Sequence, residues 1–521
     1  MRFNTTVKKA GVKGKPLKAE KKKKKSGPPK LYPYQTSGVK MMHDRAKFAN
    51  TLPDMGDRIL LGDEMGLGKT AQALMWYKNY HMNEGPLVVI CPSIVKTNWR
   101  KEAAKFIGVD AEVLHGKTPP SNAKELLKKA KILIINFEVL GSTGGKRPSW
   151  AKVLQVLKPG ALVVDEGQRI KNMVAKCTKN VARLCRPPAK SKYKPIKHIA
   201  ILSGTPAVNR PIELWPTLNI LRPDKFKTSE FKKFAFKFCE PKWSAWGWTF
   251  PGAKNLDILH RRLKKYVMIR RKAKDVLPDL PELTRIIVPL EPDEKAMRKY
   301  RMMEADFIGW LSRTSPQRAT KARKAERLVR MQALRKEVGV LKLPYVHEWL
   351  DNFLDESEFK IIMFGSHKEV VRGSYMKYQG NSVLVDGGVT GNRRDAATEA
   401  FRLDKRIRIL FGNAKAAGTG YNGQAAQSVG FMEIGWTPGE IAQCIARALR
   451  IGQKNHVMAY FFVVPNTIEE KLLHVNQQKQ NHLDQMFDGA SEEHMSLNIY
   501  DELEEMMLKS GTKKARGYYN K

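Results

Sequence analysis

Five short apolar runs punctuate residues 31–225: "RILLGDE", "PLVVICPS", "KILIINFE", "ALVVDEG" and "HIAILSGTP". Each is rich in Val, Ile and Leu, ends in small or polar residues, and is followed by a stretch of helical pattern. Runs that are apolar at every position suit strands buried on both faces, as in parallel sheets joined by crossover helices. From about residue 346 the pattern returns in "KIIMFGSH", "SVLVDGG", "IRILFGNA", "SVGFMEIG" and "VMAYFFVV". Two α/β blocks in tandem, with a cleft between them, are the economical architecture. Ligands of such sheets gather at the carboxyl ends of the strands. This chain punctuates those ends with Gly, Asp, Ser, Asn and Thr.

The remaining segments divide by composition. Residues 1–30 contain "KAEKKKKKSGPPK" and almost no large apolar side chains, so a disordered Lys-rich arm is expected there. Residues 31–225 form the first block and 346–480 the second. Between them, 226–345 read as a helical insertion and linker that carries "PKWSAWGWTFPG". For Trp243, Trp246 and Trp248 in that stretch, packing of the insertion is the preferred reading, and stacking on bases the alternative. Residues 481–521 read as a C-terminal helical segment with a basic tail.

The charge narrows the partners. Lys and Arg number 94 against 51 Asp and Glu, a formal net charge of +43, and only 12 of those cations lie in residues 1–30. A folded body this basic points to a polyanion, with DNA or RNA the default. The five cysteines at 91, 177, 185, 239 and 444 form no C-x-x-C pair, so neither zinc nor a disulfide framework is expected. No apolar run reaches the length of a membrane span, and a cytosolic-type protein is expected.

Three strand ends and one helix carry chemistry. After "RILL" comes "GDEMGLGKT", where Gly66 and Gly68 permit a tight turn that aims N–H groups at phosphates. Lys69 would reach the β- and γ-phosphates and Thr70 would ligate Mg²⁺. The strict P-loop pattern wants Gly at position 63, and Asp63 stands there. A second strand runs into Asp165 and Glu166, side by side. Asp165 would hold Mg²⁺, and Glu166 would orient and deprotonate the attacking water. In "LSGTP", Ser203 and Thr205 are hydroxyls able to switch hydrogen bonds between nucleotide and second block, although S-G-T-P taken alone reads more readily as a turn. In "IAQCIARALRIGQ", Gln443, Arg447 and Arg450 share one helix face and no acid lies within the stretch, so the arginines suit fingers on a γ-phosphate.

Together these motifs resemble the Swi/Snf-like branch of the superfamily-two helicases. "LYPYQTSG" is similar to that family's adenine-reading Q motif, with Gln35 the reader. "GDEMGLGKT" matches motif I, in which Asp63, Glu64, Met65, Gly66, Leu67, Gly68, Lys69 and Thr70 would line the nucleotide, and Asp is the family's usual residue at position 63. "ICPSIVKTNWRKE", "VVDEGQRIKN", "LSGTPAVNRPIELWPTLNILRP", "NAKAAGTGYNG" and "QCIARALRIGQ" resemble motifs Ia, II, III, V and VI in order. Within the family, "FKFCEPKWSAWGWTFPGAKNLDIL" and "VMIRRKAKDVLPDLP" look most like the annealing-helicase (HARP-like) branch.

The resemblance implies two tandem RecA-like parallel-sheet lobes and an ATP- and Mg²⁺-dependent motor on duplex or branched DNA. It further implies Glu166, Lys69, Arg447 and Arg450 in hydrolysis; Gln168, Ser203, Thr205, Gly420 and Gln443 in coupling; and Ser93, Lys96, Asn136 and Lys415 over the DNA. Three residues depart from the pattern: Gln168 and Leu449 stand where His is usual, and Ala446 where Asp is usual. The expectation is a translocase that remodels or reanneals branched DNA, acting as a monomer on DNA, with a prokaryotic or phage-host cytoplasm favoured and a nucleus if eukaryotic. The alternatives are a strand-separating helicase and a non-enzymatic basic DNA-binding or packaging protein.

Overall fold

The computed structural model describes residues 29–48, 56–141, 149–187, 191–208, 210–244, 247–250, 252–313, 321–389, 391–414, 423–489 and 506–507. The expected Lys-rich arm, Lys415, Gly420 and Trp246 lie outside them.

Nine strands fall in the first part of the chain: β1 (Arg58–Leu61), β2 (Leu87–Cys91), β3 (Glu112–Val113), β4 (Ile132–Asn136), β5 (Ala161–Asp165), β6 (His198–Leu202), β7 (Lys242–Ser244), β8 (Gly247–Thr249) and β9 (Met268–Ile269). Six follow: β10 (Leu283–Pro289), β11 (Ile361–Gly365), β12 (Ser382–Val385), β13 (Ile409–Asn413), β14 (Ser428–Phe431) and β15 (Val457–Val463). The first lobe is a parallel sheet in the order β3-β4-β2-β5-β6-β1-β9, the second a parallel sheet in the order β10-β15-β14-β11-β13-β12. All ten apolar runs are strands of these sheets, and β2 and β4 are buried at every position. The fold is α/β with two parallel-sheet lobes, as expected.

The division at 226–345 needs correction. That range is not a helical insertion alone: β9 closes the edge of the first sheet and β10 the edge of the second. Both were hidden by their form. β9 is two residues long, and β10 alternates in burial, as an edge strand does, rather than being apolar throughout. The boundary at 480/481 also falls inside one helix, Ile468–Asp488. Its first turns put Ile468, Leu472 and Val475 into the second lobe's core, and its last put Leu483, Met486 and Phe487 into the first lobe's core. This helix therefore straps the lobes together.

Strand order sets up the site. In the sequence β5-β6-β1-β9, Asp165 is level with Leu202, Leu202 with Leu61, and Leu61 with Ile269. The next residue on each strand is then Glu166, Ser203, Gly62 and Arg270. Residues 62, 166, 203 and 270 form one polar row at the carboxyl edge.

Candidate nucleotide site between the two lobes

The loop after β1 turns on Gly66 and Gly68, whose φ angles of +87° and +70° lie where a side chain would be strained. Gly68 then starts the helix Lys69–Trp76. The Lys69 ammonium donates to the loop's own carbonyls, Asp63 O at 2.7 Å and Glu64 O at 3.0 Å. Burial lowers its pKa from the ordinary lysine value, while Asp63, Glu166 and Asp165 pull it back up. Thr70 is half-buried beside it.

Asp63 has a different task from its neighbours. Its fully buried carboxylate accepts from the Arg271 backbone N–H and Nε, each at 3.1 Å, and from Gln72 Nε2 at 3.1 Å; Arg271 Nη2 closes the ion pair. Asp63 thus holds the loop in shape and has no lone pair turned toward a phosphate. Glu64 caps the next segment by accepting from the Ala273 N–H at 2.7 Å. Gln35 donates to Leu67 O at 3.2 Å, which seats the first helix (Pro33–Phe48) on the loop.

Asp165 is half-buried and carries one protein donor on each oxygen. Trp99 Nε1 donates to it at 2.8 Å and the Glu166 N–H at 2.9 Å. Burial first, and then the Glu166 charge, push its pKa up to about 6. Glu166 sits at a left-handed φ of +53°, an unusual backbone for a branched-chain-sized residue. From there a chain of contacts leaves the pair. Gln168 Nε2 donates to Glu166 Oε2 at 2.5 Å, Ser203 Oγ donates to Gln168 Oε1 at 2.6 Å, and the Thr205 N–H donates to Ser203 Oγ at 3.1 Å. Thr205 in turn lies against Gly439, where a Cβ would come within 3.4 Å of it. The amide at position 168 therefore makes both of its bonds without titrating.

The second lobe meets this edge closely. A Cβ on Gly66 would lie 3.4 Å from Arg450 Cα and from Leu449 O, so the end of the helix Pro438–Ala448 is seated on the phosphate loop. Burial and neighbouring Arg447 lower the Arg450 pKa to about 10, with Glu102 of the first lobe opposing. Gln443 is half-buried one turn earlier, and its carbonyl accepts from Arg447 Nε at 3.2 Å. Across a cavity of about 210 Å³, Ala446 and Leu449 face Met65 and Gly204. Two of the three departures from the family pattern thus form an apolar wall.

Other expected residues land differently. Ser93 is exposed at the end of β2. Lys96 and Asn136 are corrected: only 7% and 6% exposed, they bind each other at 3.2 Å, and Lys96 also donates to Leu114 O at 3.0 Å. Asn136 ends β4 and Lys96 opens the helix Lys96–Ile107 after β2, so their bond ties these two segments together. Arg270, unforeseen, donates to Gly62 O at 2.9 Å and pairs with Asp488 of the strap helix at 2.7 and 3.0 Å. The one hint was "VMIRR", three apolar residues running into two cations.

The family profile of the SNF2-related domain matches residues 34–339, and the helicase conserved C-terminal domain matches 342–452. The chain is 28% identical over 483 residues to the SWI/SNF-related matrix-associated actin-dependent regulator of chromatin subfamily A-like protein 1 homolog of Caenorhabditis elegans, covering 90% of this chain and 64% of that one. It is 27% identical over 453 residues to the Bos taurus DNA annealing helicase and endonuclease ZRANB3, covering 84% of this chain and 39% of that protein. The chain thus spans less than two thirds of the length of these relatives. Both are animal proteins and lend no support to a prokaryotic or phage placement. The Sulfolobus solfataricus SWI2/SNF2 ATPase core in complex with dsDNA is 22% identical with a TM-score of 0.38, over 89% of this chain and 94% of that one. With more than half of its residues matched, the chain belongs to the SNF2-related domain family.

Proposed function

We propose that this protein is a DNA-dependent ATPase that translocates along duplex DNA and remodels or reanneals branched DNA, acting in repair, replication or recombination. The observation that carries the reading is the half-buried Asp165–Glu166 pair beside Lys69, with the Arg450 backbone of the other lobe against the same loop. A charge held at that cost suits a ligand that brings its own cations. The donor set fits Mg²⁺: the Asp165 carboxylate, which burial and then the Glu166 charge raise to about 6, and the hydroxyl of Thr70. Asp165 and Thr70 would hold the ion, which when bound neutralises charge on the phosphates.

The chain's own residues supply the rest. Lys69 exchanges the carbonyls of Asp63 and Glu64 for phosphate oxygens. Glu166 orients a water and takes its proton, while Gln168 fixes the carboxylate. Arg447 and Arg450 contribute positive charge from the second lobe, and residues 168, 203 and 205 carry the change to Gly439 and the helix Pro438–Ala448. Lobe closure then advances the protein along the strand it grips, as a monomer on DNA inside the cell. Phosphate contacts dominate in such a motor, so binding is tolerant of sequence and sensitive to salt.

The test is ATP turnover measured in parallel with no nucleic acid, single-stranded DNA, duplex, fork and RNA. Duplex and fork should stimulate most, and Glu166→Gln should lower stimulated turnover by roughly 10² or more. Survival of turnover in that variant removes Glu166 as the base. Strand displacement on a fork, run beside annealing, separates a translocase from a strand-separating helicase.

A further inference from the structure

Trp243 and Trp248 do not pack the interior. The helix Phe231–Phe238 buries Phe234 and Phe238 beside Trp215 and Phe226, and neither Trp243 nor Trp248 belongs to that apolar cluster. Beyond it, β7 and β8 form an antiparallel hairpin in which Trp243 lies directly opposite Trp248. Their rings meet edge to face at 5.1 Å, and Phe236 extends the row, 4.9 Å from Trp248. All three face solvent: Trp243 is 69% exposed, Trp248 47% and Phe236 36%. The expectation that this cluster packs an insertion is therefore overturned for these residues.

The surroundings say what the aromatic row meets. Lys232, Lys233 and Lys237 on the helix of Phe236 and Lys242 next to Trp243 are exposed; of the acids, Glu230 pairs with Lys233 at 3.9 Å and Glu240 is turned inward onto Gly252. Apolar docking surfaces for proteins are depleted in lysine at their centres. Exposed aromatic faces set among cations are the composition of single-strand nucleic-acid platforms, where bases stack and ammonium groups follow the backbone. A paired duplex hides the faces of its bases, so an indole finds a stacking partner only on an unpaired one. The hairpin is also fixed in place: Arg210, in the loop that leaves the carboxyl end of β6, donates to Phe250 O at 3.4 Å.

We infer that Trp243, Trp248 and Phe236 form a stacking site for unpaired nucleobases of single-stranded DNA, separate from the phosphate contacts that grip duplex. The inference rests on the motor reading and deepens it. It places the discrimination of branched from plain duplex DNA on this hairpin.

The experiment uses the full chain and two labelled probes, a single-stranded oligonucleotide and a blunt duplex, with affinity read by fluorescence anisotropy at one salt concentration. Trp243→Ala with Trp248→Ala should weaken single-strand binding by about fivefold or more. Duplex affinity and duplex-stimulated ATP turnover should stay within twofold, which also certifies folding. Trp243→Phe with Trp248→Phe should retain most single-strand affinity. Unchanged single-strand binding, or an equal loss on both probes, overturns the inference. A wild-type chain that duplex DNA fails to stimulate overturns the motor reading instead, and the two failures are read from different proteins.

Discussion

Two aspartates, one buried and one half-buried, sit at opposite edges of the same sheet, and they could hardly be treated more differently. Asp57 precedes β1 at the amino edge. Trp76 Nε1 donates to it at 2.9 Å, His81 Nε2 lies at 2.8 Å and His43 Nδ1 at 3.1 Å. Burial raises its pKa, yet these partners together bring it below the ordinary carboxylate value. Around it His81 and His198 stack at 3.8 Å, and Glu84 takes a contact from each. Asp165 ends β5 at the carboxyl edge, with one indole and one backbone N–H for partners and a second carboxylate beside it. The fold satisfies the first aspartate by itself and leaves the second in want of positive charge. A buried charge that is fully hydrogen-bonded belongs to stability; one that is not belongs to a ligand.

Replacing each aspartate by asparagine breaks the comparison most sharply. Asp57→Asn should cost about 2 kcal/mol of stability, because several buried donors lose a charged acceptor, and should leave turnover per folded molecule nearly intact. Asp165→Asn should abolish turnover while raising ligand-free stability by roughly 1 to 2 kcal/mol, the sign that a pKa held near 6 demands. Denaturant melts and phosphate release decide it, and equal losses of stability at the two sites would end the contrast.

A smaller effect is expected along the chain from Glu166. Gln168→Ala removes the donor to Glu166 and the acceptor of Ser203, so DNA-stimulated turnover should fall about tenfold with nucleotide affinity little changed. If basal and stimulated rates fall alike, Gln168 serves the base alone and not the link to the second lobe.

The smallest effect is in pH, where the two edges pull in opposite directions. Burial lowers His198 from 6.5, so the unfolded chain takes up a proton that the folded chain refuses, and stability is lost as pH falls below 6.5. Asp57, lowered from 3.8, adds the same sign further down. Asp165 works against both: raised from 3.8 to about 6, it binds its proton more readily folded, and so favours folding as pH drops through that window. Stability from pH 7.5 to 5 should therefore decline gently in the wild type and more steeply in Asp165→Asn, by an extra kcal/mol or so. Parallel curves would show that the carboxyl edge is not strained.

Much of the carboxyl edge was legible in advance because local pattern and chemistry coincide there. A strand buried on both faces must be apolar throughout, and its end must turn, so "ALVVDEG" and "RILLGDE" announce both sheet and site. β9 and β10 were not legible, since two residues carry no period and an edge strand needs only one apolar face. The Asp57 cluster left no trace at all: its members at 43, 57, 76, 81, 84 and 198 come from separate elements. Lys96 and Asn136 show the limit of resemblance, which transfers position along the chain but not exposure.

The sequence by itself determined two α/β blocks, the phosphate loop, the acid pair and the family, because each strand and each motif is a short local pattern of periodicity and side-chain type, and the order of the motifs along the chain carries the rest. Only the tertiary structure decided which charges are paired, that Arg270 and Asp488 clasp the strap helix to the row at residues 62, 166, 203 and 270, and that Trp243 and Trp248 look outward. Pairing and exposure depend on distances between segments far apart in the chain, and no local pattern records them.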